Sequence, residues 1–106
     1  LGHAARLVEQ RVNEIDGNLN HLLEPAAEAL RTRYPLAATL LWRLMVTETL
    51  RKNRKDHYGQ AADHLMDCAA ADLEISDYGI FQSHGCFVDA LRTRYGQKTA
   101  FWARVP

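Results

Sequence analysis

His64 and Cys68 stand one helical turn apart, and His84 and Cys86 follow in the same half of the chain. Two imidazoles and two thiolates form a donor set that tetrahedral zinc accepts. The spacing is not that of a zinc finger, however. His84 and Cys86 fall at the start of a helix, where residues two apart point in divergent directions. Cys68, followed by Ala69, Ala70 and Ala71, reads more simply as a small core residue where helices approach closely. A nucleophilic role for either cysteine lacks its usual supports. A reactive thiolate wants a basic partner in an electropositive setting. Cys68 lies in an acidic segment, which raises a thiol pKa, and Cys86 has His84 nearby but no third group to orient it.

Asp63, Asp67, Asp72, Glu74 and Asp77 raise the question of a cation site. Asp63 and Asp67 share a helical face, but calcium wants a glycine-bearing loop of alternating oxygen ligands, and none is present. A solvated face accounts for them. Two basic patches remain. The first is Arg51, Lys52, Arg54 and Lys55; the second is Arg92, Arg94, Lys98 and Arg104, interleaved with Tyr95, Phe101 and Trp102 and free of acidic residues from Arg92 to the end. Cations among aromatic rings are a footprint for nucleic acid or an acidic peptide. The competing reading is that the aromatics cap a core while the charges keep a helix end soluble. Arg92, Arg94, Lys98, Trp102 and Arg104 are the candidate binding surface.

The elements that must position these residues are helical throughout, because apolar residues recur at helical spacing and no β-branched run alternates as a strand would. Leu1, Ala4, Ala5, Val8, Val12 and Ile15 form a first stripe, ending near Gly17. Leu19, Leu22, Leu23, Ala26, Leu30 and Tyr34 form a second. Pro25 lies inside that stripe, and because proline suits a first turn and breaks an interior, the regular helix is expected from about Glu24. A third helix, 36–52, is apolar on nearly every face and therefore belongs at the centre of the stack. Asp56 is the expected N-cap of a fourth, 57–73, with the stripe Tyr58, Ala61, Ala62, Leu65, Ala69 and Leu73. After a turn at 76–79, Ser83 should cap a fifth, and Gly96 should end it as a C′ glycine. A short last turn carries Phe101 and Trp102. The architecture expected is all-α: about five antiparallel amphipathic helices, stacked as tetratricopeptide-like helix pairs joined by short connections.

The hexamer Ala29–Tyr34 recurs as Ala90–Tyr95, each time followed by a helix breaker and then by apolar residues that include a tryptophan. That separation corresponds to two repeats of about 30 residues, near the period of helix-pair arrays. Helix ends with similar demands would look the same.

At 106 residues the chain suits one domain, 1–106, with a single core. Helical character from Leu1 onward, in place of a starting methionine, points to a fragment of a longer protein or a trimmed chain. The formal net charge is zero, so no global field favours nucleic acid or an acidic membrane. No apolar run approaches the ~18 residues of a membrane span, and no signal-peptide pattern opens the chain. Two cysteines are too few for a disulfide framework, which suits a cytoplasmic protein with free thiols.

The runs 24–30 and 35–41, then Tyr58-x-x-Ala61-Ala62-x-His64-Leu65, Phe81-x-x-His84 and Leu91-Arg92-x-x-Tyr95-Gly96-x-Lys98-x-x-Phe101-Trp102, together resemble a bacterial domain family of unknown function. The likeness extends from about Leu22 to Trp102. Its members look like the C-terminal helical part of larger bacterial proteins, and similar helical tails follow zinc-binding modules of the SWIM type. Tyr95 stands where a histidine is common, and a basic residue expected near Gln97 is absent. The resemblance implies a helical fold and no particular activity. The expectation is a non-enzymatic interaction or scaffold module without a cofactor, whose partner is a protein or another domain of the same polypeptide. A nucleic-acid-associated helper is the alternative, with a metal-binding domain behind both.

Overall fold

The computed structural model describes residues 2–106. Among them are six α-helices and no strand: α1 Gly2–Arg11, α2 Asn20–Leu30, α3 Pro35–Arg51, α4 Tyr58–Asp72, α5 His84–Tyr95 and α6 Thr99–Trp102. The sixth is the short final turn read from the sequence, now a helix in its own right.

Pro35 opens α3 at its first turn, where the missing N–H would have had no helical partner. From there Ala37 through Arg43 are buried without interruption, followed by Met45, Val46, Thr49 and Leu50. Such a helix must be enclosed, and α1, α2 and α4 all pack against it. Its N-terminal half joins Ala5, Leu23, Ala27 and Leu30 and, from the C-terminal half of α4, Cys68 and Ala71. Its C-terminal half, through Val46 and Leu50, meets Tyr58, Ala61, Ala62 and Leu65 of the N-terminal half of α4, with Leu91 and Phe101. The crossed pairing of halves means that α3 and α4 run antiparallel and share two hydrophobic clusters end to end. Trp42, Phe101, Leu41 and Met45 are the largest wholly buried side chains, each worth about 1.5–3 kcal/mol of transfer free energy.

Several local expectations are corrected. The regular helix α2 starts at Asn20, four residues before Glu24, and takes Pro25 into its interior. The ring forfeits one hydrogen bond, to the carbonyl of His21, but both residues are exposed, so water can serve that oxygen. Its buried stripe is Leu23, Ala27 and Leu30, leaving Leu22 58% exposed. α1 stops at Arg11, short of the expected Gly17, and a 3₁₀ turn Val12–Glu14 follows. In α1 only Ala5 is buried, while Ala4 faces solvent and Val8, like Val12 and Ile15 beyond the helix, is half-buried; Leu1 lies outside the described residues. Asp56 does not cap α4: it sits in the 3₁₀ turn Lys55–His57, and no side chain accepts from the first turn of that helix. The α4 stripe drifts as well, since His64, Cys68 and Ala71 are buried where Ala69 and Leu73 are not. The drift follows from α4 serving both clusters, which lie on slightly different faces.

Ser83 caps α5 as expected, its hydroxyl accepting from the Cys86 N–H at 3.3 Å. Gly96 does follow α5, but with φ −61 it is right-handed rather than a C′ glycine in the left-handed region. A Cβ there would run into the Arg92 carbonyl oxygen, so close approach is what requires glycine. The left-handed residue that ends a helix is Asn53, at φ 56. The Arg54 N–H reaches the Thr49 carbonyl at 3.0 Å and the Asn53 N–H that of Leu50 at 3.2 Å, the paired bonds of a Schellman motif. The turn expected at 76–79 falls two residues later, at 78–81, where the Phe81 N–H reaches the Tyr78 carbonyl at 3.0 Å; Gly79 within it is at φ 61 with its N–H on Asp77 Oδ1.

The repeated hexamer adopts two backbone forms, straddling the end of α2 in one place and lying within α5 in the other. Its side chains nonetheless take matching roles. Leu30 and Leu91 are buried, and Arg31 and Arg92 lie over the rings of Trp42 and Trp102 at 5.2 and 4.2 Å.

Candidate functional site

The four residues that suggested zinc are not gathered. Cys68 is wholly buried, its Sγ 3.9 Å from the Thr39 carbonyl of α3. Burial pushes its thiol up to about 12, with Asp67 adding to the rise that the acidic segment foretold. His64 is buried beside Glu24 of α2, Nε2 to Oε2 at 3.9 Å, and desolvation holds its pKa below the ordinary value. His84 is half-buried at the start of α5 and Cys86 is exposed. Among the described residues no three His, Cys, Asp or Glu side chains assemble into a metal-holding group. Of the acidic residues, Asp67 pairs with Arg31 at 3.3 Å and Asp72 accepts from the Tyr78 hydroxyl at 2.6 Å. Both are tied into the fold, which a solvated face did not anticipate.

The basic residues divide by position. Arg51 and Lys52 both pair with Glu48, at 2.7 and 3.3 Å, and so are not available. Arg92 covers Trp102, whose indole N–H donates to the Tyr95 carbonyl at 3.0 Å. Arg104 lies against the first turn of α4, where a Cβ on Gly59 would meet its Nη1 at 2.9 Å. Arg94 and Lys98 turn elsewhere. With Lys55 and Asn53 they line a cleft of about 320 Å³ between the loop after α3 and the link from α5 to α6, and none of its lining residues is acidic.

Asn53 organises this cleft. Its left-handed backbone ends α3, and its Oδ1 accepts from the Tyr58 hydroxyl and from Lys98 Nζ, each at 3.0 Å. Asparagine suits both tasks, since it tolerates the left-handed region and carries an acceptor on a short arm. The two basic patches, far apart in sequence, thus contribute Lys55 on one side and Arg94 and Lys98 on the other. Three cations without a carboxylate partner among the described residues, together with the Asn53 amide N–H groups, supply positive charge and hydrogen-bond donors for an anionic group. The binding surface read from the sequence included Arg94 and Lys98 but missed Lys55 and Asn53. An asparagine directly after a basic helix end was the available signal for the helix stop; the approach of Lys98 had none.

A small helical domain organised on one enclosed helix, with a cationic cleft at one end, is the class that fold and site define. The chain matches a family of unknown function, DUF6880, over residues 1–104, and belongs to it. No curated protein and no solved structure matches significantly.

Proposed function

We propose that this domain is a non-enzymatic interaction module that receives an acidic segment of a protein partner, or of another domain of the same polypeptide, in the Lys55–Arg94–Lys98 cleft. The observation that carries this reading is the convergence of those three cations around an acid-free cleft. Charge complementarity of this kind selects partners and speeds their encounter. Nucleic acid is the weaker alternative, because the aromatic side chains that would stack on bases are engaged internally: Phe101 is wholly buried and Trp102 is committed to Tyr95 and Arg92. The successive packing of α2 on α3 and α3 on α4 supports a reading as tetratricopeptide-like helix pairs, as do the matched roles of the two hexamers. Free cysteines suit a bacterial cytoplasm. The likeness to helical tails that follow SWIM-type modules supports a setting beside other domains.

Fluorescence anisotropy with a labelled Glu/Asp-rich peptide and an oligonucleotide of equal charge tests the proposal. The peptide should bind, weaken as salt rises, and lose roughly tenfold or more in affinity with Arg94→Glu/Lys98→Glu. Tighter binding of the oligonucleotide, with a steep salt slope, would favour the nucleic-acid reading instead.

A further inference from the structure

Arg43 interrupts the most apolar stretch of α3, between Trp42 and Leu44, and is only 7% exposed. Its guanidinium lies over both the Phe87 and Tyr78 rings, 4.7 and 5.3 Å from their centres. No carboxylate lies within ion-pair distance of it among the described residues; Asp72, which accepts from the Tyr78 hydroxyl, favours its charge only from farther off. Nε and Nη2 are buried without an acceptor, which leaves Nη1 as the outlet of the charge. Arginine does not escape such a position by losing its proton, and a buried cation without a direct ion-pair partner is costly to keep.

The same side chain forms part of the wall of an open cleft of about 430 Å³, whose other walls include Val12, Leu40, Leu44, Ile80, Phe81 and Phe87. The volume lies within the ~300–1,000 Å³ of small-ligand sites, and a mainly apolar wall with a few polar groups, here Arg43 with Asn13, Thr47 and Gln82, is their usual character. We propose that this cleft binds a small organic carboxylate, its acid group paired with Arg43 and its hydrocarbon body laid against the apolar wall. The Phe87 and Tyr78 rings hold the guanidinium in place before the ligand arrives, so little order is lost on binding. The site shares no lining residue with the Lys55–Arg94–Lys98 cleft and stands independently of it.

Titration calorimetry and thermal melts with 4-phenylbutyrate and 4-phenylbutyramide as probes decide the matter. The acid should raise Tm saturably and bind roughly tenfold or more tightly than the amide. Arg43→Met should abolish that preference. Gln82→Glu, an exposed change on the cleft wall that leaves the core intact, should weaken the acid by a similar factor through repulsion; it decides the question even if Arg43→Met fails to fold. Equal binding of acid and amide, no binding of either, or an acid affinity unmoved by Gln82→Glu would overturn the proposal. So would binding of an apolar peptide through its free C-terminus where small acids do not bind.

Discussion

Lys98 Nζ lies 3.0 Å from Asn53 Oδ1, joining the loop that ends α3 to the segment that starts α6. The contact depends on Asn53 being left-handed, because that backbone form both stops the helix and aims the amide at Tyr58 and Lys98. One residue therefore couples a helix terminus to the shape of the cationic cleft.

Asn53→Ala removes both side-chain bonds and leaves a Cβ-bearing residue at φ 56, for an expected loss of about 1–2 kcal/mol. Asn53→Gly keeps the backbone at ease and should lose less. Urea unfolding of the two variants measures the difference; equal losses would mean that the left-handed backbone contributes nothing.

Leu41 is 1% exposed at the centre of α3, whereas Leu44 is partly buried. Leu41→Ala should cost ~2–5 kcal/mol, enough to threaten the folding of so small a domain. Leu44→Ala should cost roughly 1–2 kcal/mol. Denaturant midpoints of the pair test the orientation of the helix, and a reversed order would place its buried face wrongly.

Thiol chemistry should separate the two cysteines. Cys68 is buried with its pKa pushed up to about 12, while Cys86 is exposed. A thiol reagent at pH 8 is expected to label Cys86 promptly and Cys68 only as fast as the fold opens. Prompt labelling of both, under conditions where the far-UV spectrum is native, would contradict the packing of α4 on Thr39.

Burial holds the His64 pKa below its ordinary 6.5, and Glu24 offsets this only in part. The unfolded chain therefore binds the proton more readily than the folded one. Stability should be full above pH 6.5, decline as pH falls below that value, and level off for this group once pH passes the folded pKa. His84, also lowered by burial, acts in the same direction. His64→Gln should flatten part of the slope between pH 6.5 and about 5, where few carboxylates titrate. An unchanged slope in unfolding titrations would assign the effect elsewhere.

Much of the helical order was legible residue by residue. The circumferential apolarity of 36–50 placed α3 at the centre, Ser83 announced the start of α5, and Pro35 marked the join of α2 to α3. These features depend on side chains within a turn or two of one another, so spacing and local hydrogen-bonding chemistry suffice. Boundaries that depend on compensation from outside were misread. Pro25 breaks a rule of local structure, yet α2 runs through it because Leu23, Ala27 and Leu30 gain a place against α3.

The candidate sites belong to the other kind. Arg43 was passed over in the sequence, and its lack of an ion-pair partner is a property of Tyr78, Phe87 and the loop that brings them over it. Lys55 and Lys98 became neighbours only when α4 had carried the chain back along α3. By itself the sequence determined which segments coil and which helix must be enclosed, since those follow from local periodicity and the removal of apolar surface from water. Tertiary structure alone decided which cations pair, which are buried and which converge, because electrostatic partnership depends on distance in space rather than along the chain.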